Sequence, residues 1–293
     1  GGTIEDAGFE YSTNSTFGDA TTISVGSISG EFAATVTDLE GETTYYFRGF
    51  ATNEAGIAYG DSSSFTTEPY LPCSGASSIT FDDDEYSLVE IRDQCWFAEN
   101  LKTTHYADGT SIPELTAAED WSNATIGARS AFANDSANLS TVGYLYNWSA
   151  VNDAAALCPS GWLVPTDAER TALTDFLGGE ATAGAKLKSA PSDSPGWDGT
   201  NATGFSGLPG GDRNGFYGYF DNSNSGYWWT ATSNSPTTSW FRLLGTDFAG
   251  VYRASDVNSK GYSIRCLKDA GDEGTAGAGD DQFDAAIVVE VAT

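Results

Sequence analysis

Four cysteines, Cys73, Cys95, Cys158 and Cys266, constrain the fold of this 293-residue chain more than any other feature. They form an even set with none of the CxxC spacings of zinc or redox sites, so their default chemistry is two disulfides made in an oxidising compartment. The composition agrees: charged residues are only 18% of the chain, while Gly, Ser, Thr, Asn and aromatic residues abound, as in extracellular β-rich proteins. Lys and Arg number 13 against 41 Asp and Glu, a net charge of −28. That excess repels nucleic-acid phosphates and anionic membrane surfaces. No apolar run approaches the roughly 18 residues that a spanning helix needs. The chain contains no Met, so the expectation is a processed piece of an exported protein, located outside the cell or on its surface.

Residues 1–68 read as short strands with turn signals about every ten residues. The expected strands are Ala7–Tyr11, Thr21–Val25, Glu31–Leu39, Thr44–Asn53 and Ile57–Thr67, the pattern of a β-sandwich. Within them, Leu39-Glu-Gly-Glu-Thr-Thr-Tyr45-Tyr-Phe-Arg-Gly-Phe-Ala51-Thr-Asn53-Glu-Ala-Gly56 resembles the later strands of fibronectin-III-like modules. The resemblance makes Tyr45 a tyrosine-corner residue and puts Leu39 and Ala51 in the core. It also implies that the first two strands of the module are missing, because Gly1-Gly-Thr-Ile-Glu-Asp-Ala-Gly-Phe9 matches the approach to the third. Such a sandwich exposes an apolar groove and unpaired strand edges, which soluble proteins avoid.

Residues 69–269 have a different texture, with tryptophan-centred clusters separated by Gly/Ser/Asn loops. Six landmarks occur in order: Val89-Glu-Ile-Arg-Asp-Gln-Cys95-Trp-Phe-Ala-Glu-Asn-Leu101, Tyr144-Leu-Tyr-Asn-Trp148, Leu157-Cys-Pro-Ser-Gly-Trp162, Gly204-Phe-Ser-Gly-Leu-Pro-Gly-Gly211, Gly226-Tyr-Trp-Trp-Thr230 and Gly261-Tyr-Ser-Ile-Arg-Cys266. Together they resemble the Fibrobacter succinogenes major paralogous domain family, whose landmarks are similar in order to those of C-type-lectin-like folds. The resemblance implies an α+β lectin-like domain in which Cys158 pairs with Cys266 and Cys73 with Cys95. The residues themselves add one helix, Asp167–Leu177, with Ala168, Leu173, Phe176 and Leu177 apolar, Thr166 or Asp167 as cap, and Gly178-Gly179 as stop.

Catalysis finds no support. With all four cysteines committed and a single histidine, His105, read as a surface-loop residue, there is no activated nucleophile. The expectation is that the protein is not an enzyme and carries no cofactor. Asp82, Asp83 and Asp84 offer hard oxygens for calcium but lack the alternating spacing of a known loop. A solvated hairpin turn is the favoured reading. Trp228 and Trp229, with Trp240 and Arg242, offer faces for stacking on sugars. Against that, consecutive strand residues point to opposite faces, so at least one of the pair is packing.

Residues 270–281, Ala-Gly-Asp-Glu-Gly-Thr-Ala-Gly-Ala-Gly-Asp-Asp, read as an acidic flexible linker. In residues 282–293, Phe283, Ala285, Ile287, Val289 and Val291 alternate with Asp284, Ala286, Val288, Glu290 and Ala292, the period of a half-buried strand. Reading Thr293 onward into Gly1 restores the strand, Gly-Gly turn and Thr-Ile approach of a complete fibronectin-III-like module. The end of the chain thus supplies the strand its beginning lacks, by donation to a neighbouring copy, by covalent tandem repetition, or by return to its own sandwich. Head-to-tail completion between copies is the favoured arrangement, with the donated strand paired on both flanks. The alternative is a monomeric adhesin whose lectin-like domain holds a glycan or a protein.

Overall fold

The computed structural model of the chain describes residues 2–27, 30–67, 71–216, 220–221, 224–269 and 283–291, with the backbone alone at 30, 31, 38, 221 and 283–291. The acidic segment 270–281 and the terminal residues 282, 292 and 293 lie outside the described residues. The chain divides into two compact units, one comprising residues 1–70 with 279–293 and the other residues 71–278.

The first unit contains β1 (Asp6–Ser12), β2 (Thr21–Gly26), β3 (Gly30–Leu39), β4 (Thr44–Asn53) and β5 (Gly56–Thr66). Four of these form an antiparallel sheet in the order β2-β1-β4-β5. One face of that sheet contributes Ala7, Phe9 and Tyr45 to a small core completed by Phe32, Val36 and Leu39 of β3. Gly8 cannot be larger, because a Cβ there would overlap the Ile23 carbonyl and the Phe50 ring. Tyr45, buried at 7% exposure, accepts a hydrogen bond on its hydroxyl from the Glu40 backbone N–H at 2.9 Å. That bond pins the turn between β3 and β4. Leu39 is in the core, as the sequence reading expected, while Ala51 is half-buried.

The second unit is also rich in antiparallel strands. Its strands are β6 (Ser78–Phe81), β7 (Asp84–Ile91), β8 (Gln94–Phe97), β9 (Arg129–Ala131), β10 (Tyr144–Asn147), β11 (Trp162–Leu163), β12 (Asp212–Arg213), β13 (Phe220–Asp221), β14 (Ser225–Ser235), β15 (Thr238–Gly245), β16 (Tyr252–Val257), β17 (Gly261–Tyr262) and β18 (Leu267–Lys268). They form two five-stranded sheets, β13-β12-β17-β10-β9 and β11-β18-β8-β7-β6, and a three-stranded sheet, β14-β15-β16. Short helices α1 (Ala118–Ser122), α2 (Leu139–Val142), α3 (Trp148–Val151), α4 (Asp167–Phe176) and α5 (Ala183–Leu187) lie between them. No helix among the described residues is long and apolar enough to cross a membrane.

Two disulfides tie this unit. Cys73 bonds to Cys95 across 22 residues and Cys158 to Cys266 across 108. Strand β14 runs between two hydrophobic clusters and supplies an indole to each. Trp228 packs with Trp96, Trp197 and Phe205, and Trp229 packs with Tyr146, Phe241 and Tyr262. The alternation of strand side chains thus buries both tryptophans rather than one.

Helix α4 starts at the Thr166 cap, where Thr166 and Glu169 make a reciprocal capping box, and is followed by Gly178 and Gly179 at φ 99° and 86°. Its buried stripe differs from the expected one. Arg170, Leu173, Thr174 and Leu177 are buried, whereas Ala168 and Phe176 are exposed. The spacing is that of one helix face, but an arginine occupies an apolar position. Its guanidinium lies 4.7 Å from the Trp96 ring centroid and 5.6 Å from that of Phe205, so it packs as a flat cation on aromatic faces.

Candidate functional site: the tail strand and its groove

Strand β3 has alternating burial along its length. Phe32 and Val36 are buried and Ala34 half-buried, while Ala33, Thr35 and Thr37 are exposed. Beyond Val36 an irregularity in the ladder shifts the alternation, so that Leu39, at 1% exposure, also faces the core. A strand facing a four-stranded sheet with no neighbours of its own would leave this core open along its edges.

The tail closes one of those edges. Strand β19 (Phe283–Val291) runs antiparallel to β3, with Val291 opposite Gly30, Val289 opposite Phe32, Ile287 opposite Ala34, Ala285 opposite Val36 and Phe283 opposite Leu39. Directly opposed residues share a face of the sheet. Every one of the five apolar tail positions singled out from the sequence therefore has its partner on the inward-facing register of β3. Glu290 is opposite Glu31 and Ala286 opposite the exposed Thr35. A slip of one residue would exchange the two sets, so the alternation fixes the register.

The ladder is made on one flank only. Strands β3 and β19 form a two-stranded sheet, and among the described residues neither has a second partner strand. The expectation of pairing on both flanks is not met within the chain, and an open hydrogen-bonding edge remains on β19. Strand β5, at the rim of the larger sheet, is exposed at nearly every residue, with Ile57 at 51% and Tyr59 at 45%.

The other residues singled out from the sequence go elsewhere. Trp228 and Trp229 are 1% and 0% exposed, and their indole N–H groups donate to Asn100 Oδ1 at 2.8 Å and to the Tyr146 carbonyl at 3.0 Å. Arg242 is 4% exposed and donates to Asp167 Oδ1 at 2.7 Å, the Asp167 carbonyl at 3.0 Å and Thr171 Oγ1 at 2.9 Å. Trp240 is half-buried beneath the Arg253 guanidinium, 3.8 Å from its ring centroid. The four do not form a sugar-stacking surface; they are packing and clamp residues.

The Asp82–Asp84 run does make a hairpin turn, between β6 and β7, with Asp82 and Asp83 at φ 50° and 65° in the left-handed region. It is less solvated than expected. Asp82 accepts from the Thr104 N–H at 2.6 Å, Thr104 Oγ1 at 2.8 Å, Thr103 Oγ1 at 3.1 Å and His105 Nδ1 at 2.9 Å. Burial alone would raise its pKa, but these hydrogen bonds outweigh that and hold the carboxyl down to about 2. Asp84 pairs with Lys102 at 2.9 Å. Two of the three carboxylates are thus engaged by the protein itself, and among the described residues no three His, Cys, Asp or Glu side chains gather as a metal site would require.

His105 is therefore tied to a neighbouring turn rather than free on a loop. Thr104 Oγ1 and Asp82 both approach the same ring nitrogen, Nδ1. A proton relay needs the nucleophile and the orienting acid on opposite nitrogens, so this trio has the composition of a triad without its geometry. All four cysteine sulfurs are in disulfides.

Sequence reasoning overlooked three polar knots, each built around a buried cation. Asp167, which caps nothing itself, accepts from both Arg242 and Arg253. Burial would raise its pKa, and the hydrogen bonds from Arg253 and Arg242 more than reverse this. Lys188, 1% exposed, pairs with Asp198 at 2.7 Å and donates to the Gly245 and Phe248 carbonyls. Arg265, next to Cys266, donates to the Phe205 carbonyl and to Asn100 Oδ1, and burial lowers its pKa to about 9. Only the Arg-Cys landmark hinted at the last of these.

A family model for the Fibrobacter succinogenes major domain matches residues 89–268, more than half of the chain. No curated protein and no solved structure matches it.

Proposed function

The chain belongs to the Fibrobacter succinogenes major domain family, and from that premise we propose that it is an extracellular, non-enzymatic structural protein of the cell surface, a subunit of a head-to-tail filament held together by β-strand completion. On this reading the first unit is a fibronectin-III-like sandwich in which the tail pairs as a strand on β3, and the second is a C-type-lectin-like domain displayed on each subunit. The partners are copies of the same chain. Glycans or neighbouring surfaces are secondary partners of the displayed domain.

The observation that carries the proposal is the register of β19 on β3, in which five alternating apolar positions meet the inward positions of β3 over nine residues. Nothing in that register depends on which copy supplies the strand. Within one chain the ladder is closed on itself, and exchange of the same element between identical chains reproduces every pairing, which is the basis of domain swapping. Twelve residues of extended chain span at most about 40 Å, so the length of the Gly/Ala/Asp-rich segment 270–281 does not decide between the arrangements. Strand donation of this kind gains affinity from main-chain hydrogen bonds and specificity from pockets for alternate side chains.

Light scattering and electron microscopy of the purified chain test the proposal. Linear assemblies are expected, with residues 282–293 required for them and a peptide of that sequence capping them. A monomer at all concentrations, with the tail retained in its own sandwich, would instead favour the monomeric adhesin.

A further inference from the structure

A cleft of about 570 Å³ opens in the second unit between β7, the segment after β8, α2 and the loops around 189–195 and 204–208. The geometry points to this cleft as a binding site for a neutral saccharide, a function that rests on the reading of the second unit as a domain that holds glycans, and not on strand exchange.

The lining is of two kinds. Leu88, Val89, Pro195 and Leu208 give it apolar wall, and the exposed Ser140, Thr141 and Ser194 give it hydroxyl groups that both donate and accept, with the buried Ser189 also in the lining. A sugar ring has the same division, with C–H faces and a rim of hydroxyls that likewise play both roles. Two carboxylates complete the lining. Glu99 Oε2 accepts from the Ser87 N–H at 2.8 Å, and Asp193 Oδ2 accepts from the Ala190 N–H and Asn201 Nδ2, both at 2.8 Å. Glu99 Oε1 and Asp193 Oδ1 have no protein partner among the described residues, so each residue retains an acceptor for a ligand hydroxyl. Charge-assisted bonds of this type are stronger than neutral ones.

The site is held in place before any ligand arrives. Asn100, on the cleft wall, donates to the Val142 carbonyl at 3.0 Å and accepts from Trp228 Nε1 at 2.8 Å and Arg265 Nη2 at 2.9 Å. The Ser206 N–H donates to Asn201 Oδ1 at 2.9 Å, fixing the loop that also positions Asp193. Preorganisation of this kind removes an ordering cost from binding.

The charge of the lining selects the ligand class. Arg265 is the only cationic side chain of the cleft wall among the described residues, and at 1% exposure its guanidinium is turned to the Phe205 carbonyl and Asn100 rather than to solvent. An anionic sugar would meet two carboxylates and no accessible cation. An ammonium group can donate to the carboxylates and to the hydroxyl oxygens but offers no acceptor for the hydroxyl protons, whereas a sugar hydroxyl does both.

The test is titration of the whole chain, followed by saturation-transfer NMR and calorimetry, with neutral methyl glycosides and di- and trisaccharides, alongside a uronic-acid series and a lysine-rich peptide. Binding of a neutral saccharide is expected. Ser140→Trp, a change at an exposed residue of α2, fills the cleft and should abolish it. Glu99→Gln should weaken binding about tenfold, the loss of one charged hydrogen bond, with the melting temperature unchanged. Failure of every neutral saccharide to bind, preference for the acidic series or the peptide, or binding unaffected by Ser140→Trp would overturn the assignment. None of these outcomes depends on the oligomeric state of the chain.

Discussion

Val289 stands directly opposite Phe32 in the ladder between β19 and β3, and Phe32 is 7% exposed. A charge at position 289 is thereby brought to the inward register of the sandwich. Val289→Asp should destabilise the first unit by about 3 kcal/mol, the scale of an unpaired buried charge or a large core defect. Glu290→Lys, one residue along and on the opposite register, should stay within about 0.5 kcal/mol. Urea unfolding followed through the aromatic signal of residues 2–67 reads both. Equal effects would mean that the register is wrong.

The disulfides divide their contributions by loop length. Cys158–Cys266 closes a separation of 108 residues and Cys73–Cys95 one of 22, so loop entropy assigns them about 4.8 and about 3.4 kcal/mol. Replacing Cys158 and Cys266 together by Ser should lower the thermal midpoint of the second unit more than replacing Cys73 and Cys95. The reverse order would show that packing at the Cys73–Cys95 end outweighs chain entropy.

The Asp82 hairpin gives a pH signature. Its folded pKa of about 2 lies below the ordinary 3.8. A group held down in the folded state contributes stability that is complete above its unfolded pKa and is lost as pH falls through its folded pKa. The difference in urea midpoint between the parent chain and Asp82→Asn should be constant from pH 7 to about pH 4. It should then shrink and vanish near pH 2. A difference that stays flat across this acid range contradicts the hydrogen-bond assignment to Thr103, Thr104 and His105.

Asp167 holds a buried arginine and a half-exposed one. Arg242 has 5% side-chain exposure and Arg253 has 35%. Asp167→Asn leaves the Arg242 charge buried without its counter-ion and should cost about 3 kcal/mol. Arg253→Gln removes a screened partner and should cost less than about 1 kcal/mol. Calorimetric melting of the three proteins distinguishes these magnitudes.

The strands of the first unit were legible because their alternation and turn residues act locally. All five occur within about one residue of the expected bounds. The tail strand was legible for the same reason, through its period of two. What stayed hidden depends on distant partners. Nothing near Arg170 in sequence announces that Trp96 and Phe205 will stack on it, and nothing near Asp82 announces Thr104. The buried faces of Trp228 and Trp229 were half legible, since alternation requires two environments but not that both be cores. The hydroxyl-rich cleft draws its walls from residues 87–100, 140–141 and 189–208, and its serines look like ordinary loop residues until the fold brings them together.

The central claim, that β19 serves a neighbouring copy, is tested most directly by a cross-link at one rung of the ladder. Ala286 and Thr35 are directly opposed, and Thr35 is exposed, so the double variant Thr35→Cys, Ala286→Cys places two thiols within disulfide reach without disturbing the inward register. After oxidation of the assembled protein, strand exchange predicts a ladder of covalent dimers, trimers and longer chains on a denaturing, non-reducing gel, collapsing to a single band on reduction. A cross-link confined to the monomer, with no higher species at any protein concentration, would contradict it.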